Sequence, residues 1–183
     1  MNGRMTAEDL WSAWKRGITP FGERYYGAEQ WKETFEDQEW TEGVIEPFVL
    51  TSLAPELKTR VRFHQKDEKD AIMFDDTYSS QLVHFEFENH KDKVSGEITK
   101  LKRSEPKIKV VVTYPEARTR KEGEKEIQAY VSDVIGPIAE SSVSQEHAQV
   151  WLLVFGLGYA TAQDDWMAYK VWYDGTKVVT ARL

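Results

Sequence analysis

Apolar and polar positions alternate along this chain with two distinct periods. In Leu82-Val83-His84-Phe85-Glu86-Phe87-Glu88-Asn89, the residues Val83, Phe85 and Phe87 interleave with His84, Glu86 and Glu88. Strand side chains point alternately to opposite faces, so this segment predicts a strand with one apolar face and one face carrying two acids. Leu57 to His64 and Ala71 to Phe74 read as two earlier strands, with Lys66-Asp67-Glu68-Lys69 as the turn between them. The period then changes. Val94, Ile98 and Leu101 recur at helical spacing until Glu105-Pro106 stops the pattern. Ile108 to Tyr114 is a continuous β-branched run of the kind buried on both faces of a parallel sheet. Strand, helix and strand in this order predict a right-handed βαβ unit.

The flanking regions complete the outline. Thr6-Ala7-Glu8-Asp9 resembles a capping box and opens a short helix carrying Leu10, Trp11 and Trp14, which Gly17 is expected to end. The aromatic pair of that helix is expected to pack on the body or on a partner subunit. From Ala28, helical material is expected to about Leu53, interrupted near Glu46-Pro47 because proline disfavours helix at the residue before it. Glu116 to Lys125 reads as a charged connection, and Glu126 to about Ser141 as a helix bent at Gly136-Pro137. Val150 to Leu157 predicts another buried strand. Trp166 to Tyr173 and Lys177 to Leu183 flank Asp174-Gly175, a pair that tolerates positive φ, and so predict a C-terminal hairpin.

At 183 residues the chain fits one domain, since a chain of about 150 residues already buries roughly 70% of its unfolded surface. The absence of cysteine excludes disulfides, thiolate metal sites and thiol nucleophiles. Val150 to Tyr159 is the longest apolar run and is too short to span a bilayer; with no apolar targeting segment near the start, a cytoplasmic protein is expected. The net charge of -7 argues against a generic nucleic-acid coat. Its distribution matters more. Residues 89–125 hold eleven Lys or Arg against six Asp or Glu, so that segment is locally basic on an acidic body. The plain reading of those lysines, Lys109 among them, is that they solubilise a helix and a strand.

Two carboxylates on one strand face, with Asp70 brought beside them by a hairpin, make a candidate site for a divalent cation. Mg²⁺ takes oxygen ligands and keeps several waters, so two or three carboxylates and a substrate phosphate suit it. Such a cation lowers the pKa of a bound water, which makes phosphodiester hydrolysis a reasonable reaction class. Asp75 and Asp76 compete with Asp70 for the ligand role. Asp70 is preferred because it runs directly into apolar strand residues, whereas Asp75-Asp76-Thr77 looks like turn chemistry. The plain alternative for Glu86 and Glu88 is a half-exposed strand whose solvent face is acidic. His84 shares their face and stands at the edge of the site. The four histidines show no metal-ligand spacing, and phosphate-loop and dinucleotide-loop signatures are missing.

The order helix, three meandering strands, helix, strand, helix, strand, with Asp70 and Glu86-Phe87-Glu88 at these places, resembles the PD-(D/E)XK superfamily of restriction-endonuclease-like nucleases. The resemblance covers roughly residues 28–157. It implies a mixed central α/β sheet flanked by helices, with residues 1–27 as an N-terminal helical extension and 158–183 as the C-terminal hairpin of a single domain. It further implies Asp70 and Glu86 as ligands of Mg²⁺, for which Mn²⁺ would substitute, and places Glu88 where the family has Lys. Glu88 would then bind a second cation or serve as general base on the attacking water. Lys100, and with it Lys91, would meet the substrate phosphate, and Glu42 or Glu46 would add an outer carboxylate. The implied activity is a Mg²⁺-dependent DNA endonuclease working as a homodimer. The alternative it leaves open is a nuclease-fold module without catalysis that binds nucleic acid or a protein.

Overall fold

A computed structural model describes residues 5–25, 40–65, 69–88, 94–102, 106, 108–113, 120–143, 149–156 and 166–183. Its elements in chain order are α1 (Ala7–Tyr25), the helical run α2 (Trp40–Ile45, Glu46–Phe48, Val49–Leu53 and Ala54–Glu56), β1 (Arg60–Gln65), β2 (Lys69–Phe74) and β3 (Gln81–Phe87). These are followed by α3 (Val94–Lys102), β4 (Ile108–Thr113), α4 (Arg120–Val143), β5 (Val150–Gly156), β6 (Trp166–Tyr173) and β7 (Val178–Arg182). The seven strands form one mixed sheet in their order along the chain. Strands β1, β2 and β3 meander antiparallel, β3, β4 and β5 run parallel through crossovers containing α3 and α4, and β5, β6 and β7 are again antiparallel. Parallel pairing is what a chain must adopt when a helix returns it to the same end of the sheet.

Two apolar layers sandwich the sheet. On one side Trp14, Ile18, Phe48, Val49 and Leu53 of α1 and α2 cover Val83, Phe85, Val110, Val112, Leu152 and Val154. On the other, Val94, Ile98 and Leu101 of α3 and Ile127, Val131 and Val134 of α4 cover Val111, Trp151, Leu153 and Phe155. The alternating parity of β4 and β5 therefore feeds both layers, as expected of central strands. The C-terminal hairpin belongs to this same sheet, and α1 packs on the body: its Glu8 carboxylate meets Lys170 of β6 at 2.6 Å.

The start of α1 is the capping box expected from sequence. Thr6 Oγ1 accepts the Asp9 N–H at 3.1 Å, and Asp9 Oδ2 accepts the Thr6 N–H at 3.0 Å. Its end is not where Gly17 predicted. The helix continues to Tyr25, because Gly17 serves close packing: a Cβ there would stand 3.1 Å from the Phe48 ring. That approach lets Trp14 meet Phe48 edge-on with centroids 4.9 Å apart and Trp166 at 5.3 Å. Two other boundaries also move. The run through Glu46-Pro47 stays helical because Pro47 sits in the first turn after a wide-turn segment, where no N–H is required of it, and further wide turns follow. Arg120 to Lys125, read as connection, forms the opening turns of α4, which also runs on through Gly136-Pro137. The expected helix over residues 28–39 lies outside the described residues.

Trp14 is fully buried between α2 and the sheet. Trp14→Ala is expected to cost about 3–5 kcal/mol in urea unfolding, and a loss below about 1 kcal/mol would show that this contact does not hold α1 to the body.

Candidate functional site

Register determines which side chains share the second face of the sheet. Ile72 of β2 lies opposite His84 of β3, and Ala71 opposite Phe85, so continuing the antiparallel ladder sets Asp70 across from Glu86. On the other side of β3, His84 pairs with Lys109 and Glu86 with Val111 of β4. Asp70, His84, Glu86 and Lys109 therefore project from the same face, beneath α3 and α4. Among the described residues the buried polar side chains are Thr59, His84, Glu86, Lys109, Thr113 and Gln149, and four of these come from β3 and β4 on this one face.

Asp70 is half-buried at the start of β2, and its Oδ2 accepts the backbone N–H of Phe87 at 2.7 Å. That bond holds the carboxylate across the strand gap, next to Glu86. Glu86 itself is fully buried, with both carboxylate oxygens shielded from solvent. The reading of this face as a solvent-exposed acidic surface is thereby corrected. His84 is buried as well, and its Nε2 lies 2.6 Å from Gln81 Oε1.

Glu88 is half-buried just beyond β3, where its N–H donates to Val112 O at 2.9 Å. Its charge acts on Tyr130 of α4. Burial, and after it the Glu88 carboxylate, push the Tyr130 phenol above its ordinary range. The three sequence-predicted carboxylates thus divide into an Asp70–Glu86 pair set opposite one another by register and a Glu88 beyond the end of β3, whose charge acts on Tyr130 of α4. Among the described residues no group of three or more His, Asp or Glu is placed to hold a metal ion.

The lysine that sequence reasoning placed in solvent is inside. Lys109 is fully exposed to neither water nor surface: it is 0% accessible, its Nζ donates to the Leu101 carbonyl at the end of α3, and it lies 5.6 Å from the Trp151 ring centroid. A signal for this was present, because a lysine within a run buried on both faces has no outward side to occupy. Of the remaining candidates, Lys100 lies on α3 and Glu42 on α2, with side chains outside the described set, and Lys91 is outside it altogether. Glu46 lies on α2, whose buried Phe48 and Val49 pack on the opposite sheet face.

Asp75, the rival to Asp70, is committed to its own turn. Its Oδ1 accepts N–H groups from Thr77 at 3.1 Å and Ser79 at 2.8 Å, and its Oδ2 accepts the Ser79 hydroxyl at 2.5 Å. Asp76 is exposed in the same turn.

Comparison with protein-family models, with curated proteins and with solved structures found no match. Among the described residues no helix is long and apolar enough to cross a membrane.

The Ser79 hydroxyl, with the other donors of the turn, draws the Asp75 carboxyl down to about 2 from an ordinary 3.8. A lowered folded-state pKa stabilises the fold above the ordinary value, and that contribution is lost as pH falls toward 2. Asp75→Ala should therefore lower the urea midpoint at pH 6, and the gap to the parent protein should close between pH 4 and pH 2. A gap independent of pH would exclude the carboxylate as its source.

Proposed function

We propose that this protein is a metal-dependent phosphodiester hydrolase acting on DNA, on a restriction-endonuclease-like architecture. The observation that carries the reading is the Asp70–Glu86 pair, two carboxylates set opposite one another on adjacent antiparallel strands, one of them fastened by the Phe87 N–H. Support comes from its surroundings: a helical run, a three-stranded antiparallel meander, a helix and a parallel strand precede and follow the pair in the order that nuclease family uses.

The donors fit Mg²⁺ rather than a softer ion, since they are hard carboxylate oxygens in a chain without cysteine, and Mg²⁺ completes its shell with water. Asp70 and Glu86 would hold it. The bound cation would neutralise substrate phosphate and make a bound water more acidic. Glu88, two residues past Glu86 and just beyond β3, would accept a proton from the attacking water. Cutting both strands of a duplex takes two such sites, which favours a homodimer.

A second reading has its own observation. Full burial of Glu86 and Lys109 on neighbouring strands of one face offers charge compensation without a cation, which would suit a nuclease-fold module that binds but does not cut.

Purified protein incubated with plasmid DNA and Mg²⁺ separates the two. The nuclease reading expects cleavage that falls at least about a hundredfold in Asp70→Asn and in Glu86→Gln, with far-UV circular dichroism unchanged. Cleavage that persists in both variants removes this site. No cleavage by the parent protein with Mg²⁺ or Mn²⁺ favours the binding module.

A further inference from the structure

A solvent-open groove lies at the free edge of the meander. Strand β1 ends the sheet, and beside its start a groove of about 370 Å³ is lined by residues including Leu50, Lys58, Arg60, Asp76 and Tyr78. Leu50 and Tyr78 are the exposed large hydrophobic side chains among the described residues, at 51% and 42%. Tyr78 also has a left-handed backbone, with φ of 59°, and its N–H is held by Asp75 O at 3.2 Å. A bulky residue keeps such a conformation only where its surroundings impose it, and such outliers concentrate at ligand sites.

Three exposed cations, Lys58, Arg60 and Arg62, run along this edge, with Asp76 among the residues lining its groove, in a protein whose net charge is -7. Arg62 lies 4.6 Å from the Tyr78 ring centroid and 5.4 Å from that of Phe74, which fixes the guanidinium beside the aromatic step. Register then links this row to the carboxylates. Arg60 lies opposite Phe74 and Arg62 opposite Ile72, and Ile72 lies opposite His84, so both arginines project from the face that carries Asp70 and Glu86. Arg62 is two residues, about 7 Å of strand, short of Asp70.

Resting on the nuclease reading, we propose that an unpaired segment of the DNA strand lies along β1, its phosphates on Arg60 and Arg62 and one base stacked on Tyr78, leading toward the Asp70–Glu86 pair. Guanidinium groups match phosphate oxygens in a two-pronged geometry, and the exposed part of the Tyr78 ring, with Arg62 at one side of it, takes any base, so the surface fits a single strand without selecting its sequence. An acidic peptide would satisfy the cations but leave the aromatic step without a function.

The test is fluorescence anisotropy with a labelled twelve-nucleotide single strand, using the full chain in EDTA so that neither metal nor cleavage enters. The Arg60→Gln/Arg62→Gln double variant is expected to bind at least tenfold more weakly, with the slope of log affinity against log salt reduced by about 1.4, roughly 0.7 for each lost phosphate contact. Tyr78→Asn, which keeps a residue tolerant of the left-handed backbone, should weaken binding about fivefold or more with the slope unchanged. Three results would overturn the proposal: no binding by the parent protein near about 50 mM salt, variants that bind like the parent, or displacement of the oligonucleotide by a polyglutamate peptide at lower concentration than by unlabelled single strand. Binding that follows these expectations in a protein that never cleaves DNA would leave this surface standing and defeat the catalytic reading alone.

Discussion

Placing an acid and a lysine at the centre of a close-packed sheet constrains everything around them. Glu86 and Lys109 are both removed from water on adjacent strands of one face. An isolated buried charge costs many kcal/mol, so such groups persist only where partners compensate them. Lys109 reaches the carbonyl end of α3, where the helix dipole is negative, and so ties that helix to β4. Asp70 is turned inward by the Phe87 N–H, although at the strand start it could have faced solvent. The polar interior thus sets the seating of α3 over the sheet, and the apolar layer of Val94, Ile98 and Leu101 closes it.

The opposite face is built by a different means. There α1 and α2 meet the sheet through aromatic contacts, with Trp14 between Phe48 and Trp166. One side of the sheet is therefore a conventional core, and the other is a core interrupted by chemistry-bearing residues. Local rules fail at functional sites more often than elsewhere, because function asks for groups that packing alone would exclude.

Much of the architecture was legible because period is a local property. The alternation in residues 82–89, the helical spacing of Val94, Ile98 and Leu101, and the Asp174-Gly175 turn, with Gly175 at φ of 101°, each specify an element by themselves. What could not be read locally depended on distant partners. Gly17 looks like a stop signal until Phe48 is placed against it, and Pro47 looks like a break until the wide turns around it are seen. The same limit applied to the candidate site. Alternation sorts Glu86 and Glu88 onto one face but does not say that helices cover it, and so does not distinguish a solvated acidic strand from a buried carboxylate.

Function on this account depends on whether the Asp70–Glu86 pair accepts a divalent cation or is balanced by protein groups alone. The most direct measurement is anomalous diffraction from crystals of the full chain soaked in Mn²⁺. An anomalous peak is expected within bonding distance of carboxylate oxygens of both Asp70 and Glu86. A well-ordered site with no peak there, or manganese bound only elsewhere, would contradict it.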